Sequence, residues 1–315
     1  MTEAALVPEE VKVLVGQEQR EFTLNKKLLC ETSSFFRDHV ESTTPTENDP
    51  DDEEDSIMWL PAESPEMFEL FVLWLYRRRA FLAMVDNTVP RVTRDASVFA
   101  TLPKLQTLRW KLVRLHLFAA VIDLPALQDV AMDALQDLYL RCDFDVSPHF
   151  VAFLYGDCNA EHAFRLRKWT VAMLAWTLHG VGRDPVVETQ FERLFTTYPS
   201  LADDYRTHLE KMALSKADVR IKNPQLRLPM NKLRSGERFF GFRQCSFHSH
   251  RATVGEKVCP HLAEHSLSPL VLRWPRVGKD KDAGLPGPGL DGSDSEQPIL
   301  SPVGEMTETS FLDLS

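Results

Sequence analysis

The sequence predicts an α+β fold: a small sheet flanked by helices, followed by a mostly α-helical region and a disordered C-terminal tail. Three observations predict it. Runs rich in β-branched and apolar residues at 11–15, 20–24 and 57–61 are short and bounded by turn residues or charge, as strands are. From Pro65 onward apolar residues recur instead at three and four, the spacing of helices. After residue 275 the composition shifts to Gly, Pro, Ser and Asp, which cannot bury enough apolar surface to fold. With 43% apolar residues in 315, the remainder suffices for one or two domains with a sizeable core.

The first two strands, VKVLV and REFTL, are separated by GQEQ and form a β-hairpin. Asn25 can cap a short helix through Cys30, and Thr32 a second through His39, because their side chains accept from the orphan N–H groups of a first turn. Leu28, Leu29, Phe35 and Phe36 are the apolar members of this pair. Residues 41–56 then lose all pattern, and ENDPDDEED sets seven acids in nine residues, a solvated acidic loop.

IMWLP is the third strand. In SPEMFELFVLWLYRRR, Ser64 caps, Pro65 takes the first helical position and Glu66 suits the helix dipole. Met67, Phe68, Phe71, Val72, Leu75 and Tyr76 make its apolar face, with Arg77, Arg78 and Arg79 at the C-terminal end. Residues 80–103 have no period and two prolines, and read as an insertion. LQTLRWKLVRLHLFAA and ALQDVAMDALQDLYLRC follow as antiparallel helices joined tightly at Pro125, the second burying Leu127, Ala131, Ala134, Leu135 and Leu138.

The second half, 143–275, is predicted helical. SPHFVAFLYGD starts on Ser-Pro and closes at Gly156, FRLRKWTVAMLAWTLHG closes at Gly180, and FERLFTTYPSLADDYRTHLEKMALSKAD adds further helix. Residues 276–315 form the tail.

Several functions are excluded on chemistry. A net charge of −10 opposes non-specific binding to nucleic acid or an anionic membrane, and no run reaches the ~18 apolar residues of a membrane span. The first residues carry acids where a targeting segment carries Lys or Arg. The five cysteines, Cys30, Cys142, Cys158, Cys245 and Cys259, suit a reducing compartment, so the chain reads as intracellular, in cytoplasm or nucleus. Residues 216–243 hold eight basic residues against two acids, with Phe239, Phe240 and Phe242 among them. No four-stranded pattern surrounds them to present stacked aromatics, so they read as a solvated basic face. Nucleophile elbows, phosphate loops and zinc-protease helices are missing, and His116, His149, His162, His179 and His208 are scattered among helices. The chain does not read as an enzyme.

The one concentration of ligand-type residues is CSFHSHRATVGEKVCPHLAEH. It reads first as a segment packed on the helical region, with Phe247 inward and the histidines partly exposed. No cofactor is needed for that. If the cluster binds metal, zinc is the ion its thiolates and imidazoles select, held by Cys245, His248 or His250, and Cys259, with His261 or His265 completing four-coordination. A strand would send the two rings of His-x-His to opposite faces.

The order of elements, with FTLNKKLLCETSSFFRDHV and WLPAESPEMFELFVLWLYRRR, resembles the BTB/POZ domain, whose Ser-x-Phe-Phe signature is matched by Ser33, Phe35 and Phe36. The similarity extends through LVRLHLFAAVIDLPALQDVAMDAL and so covers 9–142, and the region 143–275 resembles the helical extension of filamentous-fungal BTB proteins. Asn25 stands where the family usually has His. The resemblance implies a protein-interaction module that self-associates as a homo-oligomer or recruits a protein partner, with Leu28, Leu29, Phe35, Phe36 and His39 as its candidate interaction residues. Adjacent helical positions diverge by about 100°, so one of Phe35 and Phe36 is expected in the core and the other near the interaction face. The resemblance leaves open an adaptor of a cullin-type ubiquitin ligase or a transcription-associated scaffold. The apolar-x-Glu element by which such adaptors grip a cullin-type scaffold is not clean here.

Overall fold

Alternation along the first strand decides where the core begins. In β1 (Glu10–Val15), Val11, Val13 and Val15 face one side and are buried, while Lys12 and Leu14 face the other. The turn opens on Gly16 at φ +78°, where a Cβ would also stand 3.2 Å from Pro65 Cδ. β2 (Arg20–Asn25) pairs antiparallel with β1 and β3 (Ile57–Leu60) pairs parallel, giving the order β2-β1-β3 with β3 at an edge. This computed structural model describes residues 9–42, 57–88, 97–180, 185–228, 241–243 and 245–250. Most of the acidic loop, Phe239, Phe240, Cys259, His261, His265 and the tail lie outside the described residues.

Helices α1 (Lys26–Thr32) and α2 (Ser34–Ser42) follow the hairpin. Asn25 caps α1 as read, its Oδ1 accepting from Leu28 N at 2.8 Å. The second cap falls one residue later than Thr32. The Thr32 hydroxyl donates back to Leu28 O at 2.7 Å, and Ser33 serves instead, accepting from Phe35 N at 3.2 Å. The buried Ser33 hydroxyl also donates to Ile122 O at 2.7 Å, tying the break between two helices to a turn 89 residues away.

α3 (Pro65–Tyr76) starts on Ser64, whose hydroxyl accepts from Met67 N. Its buried face is Met67, Phe68, Leu70, Phe71, Trp74 and Leu75. Val72 and Tyr76 leave that face, and Tyr76 is half-exposed with its hydroxyl accepting from Asn25 N at 2.8 Å. The stretch expected to be an unpatterned insertion is partly helical: α4 (Arg78–Leu82), α5 (Met84–Thr88) and α6 (Ser97–Val121), which runs through Pro103. Phe81 and Val85 are its buried anchors, too few to register as a period.

α6 packs along α7 (Pro125–Cys142), with Pro125 at the first helical position. Phe36, Phe68, Phe71 and Phe118 of α6 form the aromatic centre. Phe36 lies 5.6 Å from Phe71 and 6.5 Å from Phe118, and Phe22 of β2 meets Phe68 at 4.9 Å.

Beyond α7, α8 (Pro148–Ala152) starts on Ser147 and runs into a π turn, Phe153–Asp157. Gly156 therefore lies inside the turn and does not stop a helix. Its role is close approach, since a Cβ there would meet the Tyr198 hydroxyl oxygen at 2.9 Å. The buried Arg167 guanidinium donates to Leu154 O at 2.9 Å and Cys158 O at 3.1 Å, satisfying carbonyls that the widened turn leaves unpaired. α9 (Phe164–His179) ends at Gly180 as read, and α10 (Pro185–Thr197) and α11 (Pro199–Leu214) follow. A parallel strand pair that the sequence reading did not anticipate, β4 (Asn223–Leu228) with β5 (Gly241–Arg243), lies against α7 and α9 through β4. None of the helices among the described residues is long and apolar enough to cross a membrane.

Phe36 is fully buried whereas Phe35 is only half-buried. Phe36→Ala is therefore expected to cost about 3–5 kcal/mol and Phe35→Ala about 1 kcal/mol in urea denaturation. Ser33→Ala should cost about 1–3 kcal/mol by removing the partner of the Ile122 carbonyl.

Candidate functional site

Helix α7 is buried on two faces. One packs its leucines and alanines on α6. The other carries Asp129, Asp133 and Gln136, at i, i+4 and i+7 and so in one stripe, and of these Asp129 and Gln136 are almost fully buried. A polar stripe in that position must find partners within the protein. Gln136 donates from Nε2 to Pro224 O in β4 at 2.9 Å, and Gln225 donates to Phe144 O at 3.0 Å, so β4 docks on the C-terminal half of α7.

The N-terminal half of the stripe meets residues 245–250. These form successive turns, beginning with His248 N donating to Cys245 O at 3.2 Å. Because the segment turns, both rings of His-x-His face α7, where a strand would have separated them. His250 Nδ1 lies 2.8 Å from Asp129 Oδ2 and His248 Nε2 lies 2.9 Å from Asp133 Oδ1. A carboxylate accepts only, so these two nitrogens carry the protons. Ser249 N donates to the other Asp129 oxygen, His248 Nδ1 stands 3.8 Å from Asp129 Oδ2, and the imidazole centroids are 5.2 Å apart. Arg165 of α9 closes the cluster, donating to Ser249 O at 3.2 Å.

The histidines expected to be partly exposed are thus buried, at 4% and 8% exposure. Phe247 points inward as read, 5.1 Å from Phe242. Cys245 is buried but does not join the converging donors, which are Asp129, His248 and His250. The residue that sequence reasoning missed is Asp129. Its only signal was membership of an acid–acid–amide stripe, which on most helices faces water. Two imidazoles and a carboxylate can clamp the segment by hydrogen bonds or coordinate one cation.

Beneath this cluster His116 of α6 is fully buried, its Nδ1 donating to Gln128 O at 3.0 Å. Its Nε2 has no hydrogen-bond partner among the described residues. Burial pushes its pKa down from 6.5 to about 4. His208 is likewise held down to about 4, by burial and then by Lys222, Lys211 and Lys168. In the basic stretch, Phe242 stacks near His208 and lies under Lys222 Nζ at 4.7 Å, an aromatic engaged in packing.

The residues read toward an interaction face divide. Leu29 and Phe36 are fully buried, so they support the domain from within and form no surface. Leu28 and Phe35 are half-buried and His39 is exposed. A second surface was readable from the strand period but overlooked: Ile57 and Trp59 of β3 are 48% and 49% exposed on the outer face of the sheet. They stand in register with Lys12 and Leu14 of β1. Trp59 is held in place by its indole N–H, which donates to Gly16 O at 3.3 Å.

Residues 9–109 match the family model described as the BTB/POZ domain. The match begins one residue before β1 and ends within α6. No curated protein and no solved structure matches the chain.

Asp129→Ala removes the acceptor of Ser249 N and His250 at once. It should destabilise the fold by about 2–4 kcal/mol and abolish hydrogen-exchange protection of residues 245–250. A pH test isolates His116. Above pH 6.5 its ring is neutral folded or unfolded. Between 6.5 and about 4 the unfolded chain takes up a proton that the folded chain refuses, so stability falls with pH. His116→Asn should flatten that slope by about one proton, up to roughly 3 kcal/mol by pH 4, in denaturation midpoints followed from pH 7 downward.

Proposed function

From the BTB/POZ domain that residues 9–109 form, we propose that the chain is a non-catalytic interaction scaffold whose domain self-associates and recruits a protein partner, while the helical region supplies a separate surface. BTB/POZ domains are protein-interaction modules, and the family match is the observation that carries the reading. The outer sheet face supports it. Ile57 and Trp59 leave a tryptophan half-exposed on an edge strand, beside the half-buried Leu14. A rigid aromatic of that kind is the usual anchor of a protein interface. The half-buried Leu28 and Phe35 with the exposed His39 offer a second contact on α1 and α2.

Sedimentation equilibrium over a range of concentrations tests self-association, and cross-linking in cells tests recruitment. The full chain is expected to dimerise, and Trp59→Ser to weaken the dimer by about 2 kcal/mol, roughly thirtyfold, with its melting temperature little changed. A chain that stays monomeric throughout, and whose Trp59→Ser variant cross-links to the same proteins as the wild type, overturns the reading.

A further inference from the structure

We propose that Asp129, His248 and His250 bind a divalent transition-metal ion, zinc by donor type, which staples residues 245–250 to α7. One donor atom from each of the three lies within 4.8 Å of the other two, and all three residues are buried. In a tetrahedral zinc site, bonds of about 2 Å leave neighbouring donors roughly 3.3 Å apart. The two imidazole nitrogens stand 2.8 Å and 3.8 Å from Asp129 Oδ2, on either side of that spacing. The carboxylate oxygen is thus the point on which both rings converge.

The arrangement around these donors is that of a metal-binding imidazole. Asp133 takes the Nε2–H of His248 at 2.9 Å and so turns Nδ1 toward Asp129. A carboxylate behind a ligating histidine fixes its tautomer and orientation in this way. Two imidazoles with a carboxylate select zinc over magnesium or calcium, which take oxygen ligands. Binding replaces the proton on His250 Nδ1, which leaves to solvent. Asp129 and His250 are 121 residues apart, so the ion would close a long loop and join the helix to a segment with little apolar surface of its own. The inference does not depend on the interaction reading, since none of the three residues lies on the outer sheet face or on α1 and α2.

The test uses the full chain expressed without a polyhistidine tag. Elemental analysis should find one zinc per chain, and chelation should lower the melting temperature until zinc is restored. His248→Ala and His250→Ala should abolish stoichiometric zinc. Asp133→Ala, which keeps all three donors, should weaken zinc about 10–100-fold in competition with a chromogenic chelator. Should a variant fail to fold, titration of stripped wild type with cobalt decides: a tetrahedral d–d spectrum supports the site. A chain that carries no metal, and whose melting neither zinc nor chelator moves, overturns it. So does stoichiometric zinc left undiminished by His248→Ala, His250→Ala and Asp133→Ala, which would put the ion elsewhere.

Discussion

The carboxylate of Asp129 is the group on which the second half of the structure turns. It sits on a helix at 2% exposure, where an ionised oxygen without partners would cost several kcal/mol. It meets that cost by accepting from the Ser249 N–H and from Nδ1 of His250, while His248 bonds Asp133 one turn further along α7. The segment has one large apolar side chain, Phe247, that is buried. Polar contacts therefore set where it lies, and the direction of α7 sets the polar contacts.

That helix serves two masters because it is buried on two faces. Its apolar side packs on α6, which packs in turn on α3, and its polar side receives β4 and the turns of residues 245–250. α7 thereby joins α6 to β4 and to residues 245–250. A buried polar network of this kind is strong when complete and costly when a member is lost. The residues that close it by hydrogen bonds, Asp129, His248 and His250, are those that a cation would use.

At the other end of the domain, Ser33 and Phe36 do comparable work with different chemistry. Ser33 lets the chain break between α1 and α2 without leaving polar groups unpaired, and it anchors the break to the turn after α6. The break rotates Phe36 into the aromatic centre and leaves Phe35 half-buried, the two rings edge to face at 5.3 Å. With the interior filled this way, the inner face of the sheet sets Phe22 on Phe68 of α3, and the outer face presents Ile57 and Trp59 to solvent. An exposed apolar pair on an edge strand is a liability unless it is used.

Local chemistry determined much of this protein. Strand alternation, the Asn25, Ser64 and Ser147 caps, the prolines at 65, 125 and 148 and the stop at Gly180 act within a few residues, and each was legible as written. Errors at this level came from weak signals: two anchors, Phe81 and Val85, where a period needs more, and a glycine at 156 placed for a neighbouring tyrosine. The candidate site was legible only in half. His248 and His250 stood out by residue type, but whether they meet depended on the segment being a turn. Their counterpart, Asp129, lies some 120 residues earlier in an ordinary-looking helix. Packing alone could reveal it, because a polar stripe reads the same in sequence whether it faces water or a second layer of protein. Only the tertiary structure decides which side of a helix is dry.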